Sequence, residues 1–543
     1  MLVSAIFMGL LLSVLRPFFE TNDDISLQNF VNFSRGVQDA YSNSANYVFG
    51  LILSVLYRIT QQLPWYTLFL YATMFVSFSI ITHVILSAFQ DGFMAALLIA
   101  VIQLTYGYQG YISINYTKVA ACAGAAGALL IFFSMRGDKV RKFGVLLGSL
   151  AVFAGFIVRP MEGLAAAVCV SPAGIYLLLS LKDDAKAGMR WKRFMRYIIC
   201  LIPALILVAG AAGADHYALN SNPARQEYDA YDKERTAIMD YGFPKFRPNK
   251  EAFENLGINR NAYNLYTHWD TYDPEKLSME TMAEIADLRP EFHFSWQTIL
   301  DFFSKYPEKA FSNPMFLLYL FVLCICILYG KRGWKSVLTV VYQLLLMTGL
   351  YIYMFYKRRY GVPRVEVGLW LAAILGLLPI LENGRARISK RAVALAVVLV
   401  LAINQKTYNE AYRRITTSER ERQINFRNYT SQLSGDRDHL YLFQVTRFFP
   451  DLAYAPFDRV PVDSLYNLAP LGGWTTKSIP YLAVLERYGV KNPYRDMIGN
   501  DKVRLVTDDP ATITNYLHDY YDPDCKVELV GSIGKNNIYQ VYD

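Results

Sequence analysis

The sequence predicts a polytopic α-helical membrane protein with a small α/β domain at its C-terminal end. Composition is the first reason: of 543 residues, 53% are hydrophobic, 15% aromatic and only 18% charged. A soluble chain carries charge at about a quarter of its positions. Patterning is the second, because the apolar residues gather into blocks long enough to cross a bilayer. A span needs about 20 mostly apolar residues, fewer when its ends are anchored. The third reason is where the positive charge sits. The net charge of +8, from 54 Lys+Arg against 46 Asp+Glu, is placed largely in short loops between those blocks.

The blocks lie near residues 1–17, 65–88, 93–108, 116–135, 143–159, 163–181, 197–214, 312–330, 336–356, 365–382 and 391–406. The first has no basic residues ahead of it and no A-x-A-like cleavage site before Glu20. It therefore reads as a retained span rather than a signal peptide. Four loops are basic, at 136–142, 182–196, 331–335 and 385–391, and the positive-inside rule puts all four in the cytoplasm. The apolar stretch Tyr47–Ile59 settles the count. Were it a span, the loop at 136–142 would fall outside; lying flat on the outer surface, it leaves every basic loop inside. Eleven spans follow, with the N-terminus inside and the C-terminus outside.

The outer side then holds the loop 18–64, a large loop at 215–313, a short basic turn at 356–366, and the tail. Residues 1–406 are expected to form the transmembrane module and 407–543 an outer-facing soluble α/β domain. Within the tail, 439–445, 502–507, 526–530 and 537–542 are strand-like and 512–521 is helix-like. Helix-like runs also occur in the large loop, at 275–288 and 295–306. No internal repeat is visible.

Several chemistries are disfavoured. Five of the six cysteines (Cys122, Cys169, Cys200, Cys324 and Cys326) sit in apolar blocks, and Cys525 is alone in the tail. No C-x-x-C metal spacing exists. His268, Asp270 and Asp273 form the one notable grouping of metal-type ligands, and a structural or acceptor-facing role suits them better. No P-loop for a nucleotide and no basic stripe for nucleic acid is present. Neither a metal nor a cofactor is expected.

Ionisable residues inside a membrane are functional candidates by default. The spans are nearly clean at mid-depth apart from His83, which reads as a hydrogen-bonded helix residue. Charge collects instead at the outer ends of spans. There stand Asp23 and Asp24 beside Asn22, Lys118, Arg159 with Glu162, and the turn Lys357, Arg358, Arg359 and Arg364. A transporter more typically places polar groups at broken helices near the midplane. An outer rim of this kind suits a lipid headgroup. The acidic pair also reads as a helix cap, because Asn and Asp are good caps. Arg159 reads equally as a phosphate ligand or as a local ion pair with Glu162, and the basic turn as a phosphate clamp or an interfacial anchor.

Span 1, an outer loop opening with an acidic pair, a juxtamembrane helix and a late soluble domain together resemble the GT-C superfamily of membrane glycosyltransferases. Thr21-Asn-Asp-Asp-Ile25, Ser34-Arg-Gly36, Leu63-Pro-Trp-Tyr66, Tyr360-Gly-Val-Pro-Arg-Val365 and Leu471-Gly-Gly-Trp474 narrow the likeness to bacterial GtrII-type glucosyltransferase-like membrane proteins. The resemblance implies a bacterial inner-membrane enzyme that takes sugar from a polyprenyl-phosphate-linked donor on the extracytoplasmic leaflet. Its acceptor would be a cell-surface glycan or a lipid-linked molecule. It also implies that an acidic residue of the first outer loop, Asp23 or Asp24, serves as base.

The residue chemistry agrees with that implication. In an inverting transfer, a carboxylate removes the proton of the attacking hydroxyl, and the departing lipid phosphate needs fixed positive charge. Arg159, Lys357, Arg358, Arg359 and Arg364 supply such charge, with Asn22, Lys118 and Glu162 as supporting positions. A polysaccharide polymerase and a flippase for lipid-linked glycans are the competing readings.

Overall fold

The computed structural model describes residues 1–136, 139–180, 187–289, 294–359, 361–382, 419–448 and 450–543, with isolated positions between 395 and 409. The chain divides into two compact units. One comprises Met1–Thr21, Tyr66–Ala214 and Phe294–Thr417; the other comprises Asn22–Trp65, Asp215–His293 and Ser418–Asp543.

The first unit is helical. It holds α1 (Leu2–Val14), α4 (Trp65–Ala88), α5 (Gly92–Gly107, continued by a π-turn at Tyr108–Ile112), α6 (Tyr116–Ser134), α7 (Lys142–Val158), α8 (Pro160–Cys169) and α9 (Ser171–Leu179). It continues with α10 (Ala187–Asn220), whose end enters the second unit, then α15 (Trp296–Phe311), α16 (Pro314–Tyr329), α17 (Trp334–Tyr356) and α18 (Pro363–Leu381). Among the described residues, seven helices are long and apolar enough to cross a membrane. The count becomes eight if α15 and α16, bent by 95° at their junction, form one broken span. Helices α1 and α7 stand where spans are expected but run only 13 and 17 residues. The block 391–406 and the basic loop 385–391 lie largely outside the described residues.

Helix α6 is the axis of this unit. Its run of small residues from Ala120 to Ala128, all Ala or Gly but for Cys122, carries little side-chain bulk, so neighbouring backbones come close. A Cβ on Gly124 would meet the carbonyl of Gly163 in α8, and one on Gly127 would lie 2.5 Å from the Gly148 carbonyl in α7. The N-terminus of α6 is thereby fixed beside a short parallel pair, β1 (Phe18–Phe19) with β2 (Ser113–Ile114).

The ends of the helices sort by charge. Arg136 pairs with Glu382 at 2.5 Å, and Lys331 N–H donates to the Ile380 carbonyl at 2.9 Å. Met1 lines one cavity together with Lys139 and Arg141. The N-terminus, the loop at 136–142 and the start of the loop at 331–335 therefore share one end of the first unit.

The second unit contains α2 (Asn22–Val31), α3 (Tyr47–Ile59), α11 (Pro223–Met239), α12 (Lys250–Asn255), α13 (Arg260–Thr267), α14 (Met279–Asp287), α19 (Glu419–Gly435), α20 (Ile479–Glu486) and α21 (Pro510–Tyr520). Its sheet comprises β3 (Leu440–Phe443), β4 (Leu468–Pro470), β5 (Val503–Thr507), β6 (Lys526–Ile533) and β7 (Asn536–Tyr542) in the order β4-β3-β5-β7-β6. Strands β4, β3 and β5 are parallel, and β7 and β6 join antiparallel.

Period-two alternation gives the sheet two apolar faces. Leu440, Leu442, Val503 and Leu505 join a tyrosine-rich core with Tyr231, Phe253, Tyr266 and Met282. Tyr441, Phe443 and Val506 face the other way, onto Leu433 and Phe426 of α19. The strands read from 439–445, 502–507, 526–530 and 537–542 are all present, the third extended to Ile533. The run 275–288 is helical only from Met279. Asp273 accepts the N–H groups of Glu275 and Lys276 at 3.0 Å, and Ser278 caps the helix. The run 295–306 continues to Phe311 in α15, a helix of the first unit. Helix α3 buries Phe49, Leu53 and Tyr57 and leaves Leu51, Val55 and Ile59 exposed.

Candidate active site

A polar cavity of about 460 Å³ opens in the first unit at the ends of the helices opposite the basic loops. Phe18 and Glu20 reach it from β1, Gln109 from the π-turn, Ser113 from β2, Lys309 and Asn313 from the α15–α16 bend, and Gly361 and Glu366 from the start of α18. Each local geometry has a cause. The π-turn at 108–112 shifts the register of α5 where the chain enters β2. Asn115 then caps α6, its Oδ1 accepting Thr117 N–H at 3.0 Å, while its Nδ2 donates to Thr21 Oγ1 at 3.1 Å. Gly361 has φ +76°, a left-handed conformation that glycine adopts at little cost. A Cβ there would lie 2.8 Å from Lys309 Nζ.

The cavity carries two carboxylates and an ammonium. Glu366 is buried; its Oε1 accepts the Gly361 N–H at 2.7 Å and its Oε2 accepts from Asn313 Nδ2 at 3.4 Å. Glu20 pairs with Lys118 at 2.6 Å. Lys309 Nζ lies over the Gly361 turn. The cavity therefore presents hydrogen-bonding and charged groups of both signs to a ligand.

The expected cations occupy three different settings. Lys118 is 1% exposed, and its ammonium donates to Gln109 Oε1 at 2.6 Å, the Ser113 carbonyl at 2.9 Å and Ser113 Oγ at 3.2 Å, besides pairing with Glu20. It braces the cavity wall from behind. Arg159, between α7 and α8, donates to Glu162 Oε2 at 2.9 Å and to the Tyr116 hydroxyl, with its guanidinium over the Tyr116 ring. This is the local ion pair that the spacing allowed, with an aromatic support added. In the basic turn, Lys357 and Arg358 are exposed and Arg359 and Arg364 half-buried. Arg358 adopts φ +55°, and Arg359 N–H closes the end of α17 on the Met354 carbonyl at 2.8 Å. Of this turn, Gly361 and Pro363 line the cavity, and Tyr360 lies outside the described residues.

In the second unit, Asn22 opens α2, and Asp23 and Asp24 occupy its first turn, where the helix N-terminus favours negative charge. Asp24 is fully enclosed, whereas Asp23 is half-buried. Gly472 of the Leu471-Gly-Gly-Trp474 motif packs against the Trp269 carbonyl where no Cβ fits. Trp474 stacks on Phe30 of α2 at 5.7 Å, and Tyr228 donates to its carbonyl at 3.1 Å. Arg35 is buried and donates to the Leu468 carbonyl at 3.3 Å. These motif residues hold the helix that bears the acidic pair.

Asp270 and Asp273 serve the fold of that unit. Asp270 accepts from Val445 N–H at 2.7 Å and Gln444 Nε2 at 3.0 Å; Asp273 accepts from the hydroxyls of Tyr516 and Tyr521. His268 lies apart from both, its Nδ1 2.6 Å from the Asn264 carbonyl. Sequence reasoning missed Lys309, Glu366 and Glu20. Glu20 and Glu366 border segments already marked as charged, and only the α15–α16 bend brings in Lys309.

No known family model matches the chain, and no curated protein matches it. Two crystal structures of ArnT from Cupriavidus metallidurans align with it along nearly its whole length. The apo state gives a TM-score of 0.43 at 11% identity, covering 98% of this chain and 97% of that one. The state bound to undecaprenyl phosphate gives 0.43 at 11%, covering 99% and 96%.

Proposed function

We propose that this protein is a membrane glycosyltransferase of the GT-C kind. It transfers one sugar from a polyprenyl-phosphate-linked donor to a cell-surface glycan or related acceptor on the extracytoplasmic leaflet. The observation that carries the reading is the charged cavity, set at the helix ends opposite the basic loops and lined by Lys309, Glu20 and Glu366. Asp23 removes the acceptor hydroxyl's proton as its oxygen bonds to the anomeric carbon. The bond from that carbon to the donor phosphate breaks, and the polyprenyl phosphate leaves with the electron pair. Inversion follows from a single displacement. Asp23 suits the role better than Asp24, because a base must reach its substrate and Asp24 is enclosed. Lys309 and the turn at 357–364 offer the departing phosphate positive charge.

The test is transfer from a radiolabelled polyprenyl-phosphate sugar in membranes, with products sized. One sugar added per acceptor supports the reading. Chain growth selects a polymerase, and movement of lipid-linked glycan without transfer selects a flippase. Asp23→Asn should lower turnover by about 10²–10⁴-fold, the usual cost of losing a general base, while the protein still binds donor lipid. Turnover near normal in both Asp23→Asn and Asp24→Asn removes this loop from the mechanism.

A further inference from the structure

A second cavity, of about 950 Å³, lies in the first unit at the end that carries the basic loops. Its walls are mostly apolar, among them Phe75, Ile80, Phe133 and Leu147, and its rim is formed by Arg136, Lys139 and Arg141. Three polar side chains, Ser79, His83 and Ser87, stand on the α4 wall. His83, the one ionisable residue singled out at mid-depth in the sequence, is exposed and faces this cavity. The Ser79 hydroxyl, also on the wall, is buried with no hydrogen-bond partner among the described residues.

We propose that this cavity is a binding site for an anionic glycerophospholipid of the cytoplasmic leaflet: phosphate at the Lys139–Arg141 rim, acyl chain along Phe75, Ile80 and Phe133, ester oxygens within reach of His83. Arg136 is already paired with Glu382, so Lys139 and Arg141 carry the headgroup's charge. The volume lies at the upper end of roughly 300–1,000 Å³ for a ligand site. An apolar wall under a cationic rim matches a lipid and not a free anion, which would leave the wall wetted. Basic pockets between spans on the cytoplasmic side take anionic headgroups on general electrostatic grounds. The site is separate from the charged cavity at the opposite end, and it stands whether or not the proposed transferase reading does.

The experiment is native mass spectrometry of the full chain released from nanodiscs holding equal phosphatidylglycerol and phosphatidylcholine. The expected result is selective retention of phosphatidylglycerol. Lys139→Gln with Arg141→Gln should weaken the selectivity, on the order of 5-fold for each cation removed. Ser79→Leu, which keeps every charge but fills the wall, should weaken retention as well. Elution and thermal unfolding in uncharged lipid check that both variants fold; a variant that fails is replaced by Lys139→Gln alone or by Ser87→Leu. Equal retention of the two lipids by the wild type overturns the site. So does loss of selectivity in the charge variants with full retention in the wall variant, since that marks only a surface field. In a competition arm with inorganic phosphate or undecaprenyl phosphate added, displacement by the first, or retention of the second in preference to phosphatidylglycerol, overturns it too.

Discussion

Asp270 shows what a structural carboxylate does in detail. Grouped in sequence with His268 and Asp273, where a structural or acceptor-facing role suits it better than metal ligation, it uses its carboxyl to tie the ends of two strands in the second unit. Thr507 at the end of β5 donates to Gln444 Oε1, and Gln444 donates to Asp270. Burial pushes the Asp270 carboxyl up to about 7, against the pull of the Val445 N–H and Gln444 hydrogen bonds. Because the folded value lies above the ordinary one of about 3.9, folding favours the protonated form. Its contribution to stability is full below about pH 4 and is lost as pH rises through about 7. Asp270→Asn cannot ionise and keeps an oxygen for Val445, with the Gln444 amide turned over. We expect the variant to flatten the fall in unfolding temperature between about pH 4 and 8, measured on detergent-solubilised protein. An unchanged slope would assign that fall to other groups.

At the scale of elements, the turn between α17 and α18 is where geometry matters most. Its cations read as a phosphate clamp or as an interfacial anchor; Gly361 at φ +76° and the Glu366 carboxylate on its N–H fix the bend, with Lys309 against it. Gly361→Ala should destabilise the turn by about 1–2 kcal/mol, the usual left-handed penalty, and should also displace Lys309. A clamp is less tolerant than an anchor, because Lys loses the two-pronged contact that Arg makes. We therefore expect at least one of Arg358→Lys, Arg359→Lys and Arg364→Lys to lower donor kcat/KM by roughly 5- to 150-fold at unchanged expression, as for a charge-assisted contact of about 1–3 kcal/mol. The half-buried Arg359 and Arg364 are the stronger candidates, and Lys309→Gln should act in the same direction. If all four variants use donor like the wild type, the phosphate is held elsewhere, with Arg159 the next position to test.

For the whole molecule, the sequence's charge pattern predicts a topology that labelling can check. Cysteine placed at Gln62 or Lys526, both exposed, should react with an impermeant reagent from outside, and cysteine at exposed Phe143 should be protected. Protection of Gln62 would mean that Tyr47–Ile59 crosses. Much of the architecture was legible because its signals are local. Apolar blocks mark α4, α5, α6, α10, α17 and α18, and alternation marks β3, β5, β6 and β7. The acidic pair was legible too, as the opening of α2. What escaped depends on distant contacts. β4 is only three residues long and exists because β3 pairs with it. Lys309 lines a cavity because α15 and α16 bend by 95°. Lys118, read as a supporting position, bonds to Glu20, Gln109 and Ser113, partners that no spacing rule could foresee.

The second compact unit is assembled from stretches 22–65, 215–293 and 418–543, and this has a consequence for the protein's biogenesis. Its tyrosine-rich core joins Ile285 to Leu440 and Val541, so the early segments cannot bury their apolar faces when they are made. At about 5–20 residues per second, they wait on the order of ten seconds or more for the strands that cover them, while further helices are threaded between. Such delayed, long-range closure is slow and leaves sticky surfaces uncovered in the interval. A ribosome that stops before β5 therefore releases a chain that holds every described helix of the first unit while the core of the second lacks Val503, Leu505, Ile513, Tyr516, Leu517, Tyr539 and Val541. Proteolysis of nascent chains should discriminate sharply at that point, making the stretch from β5 onward a built-in inspection step.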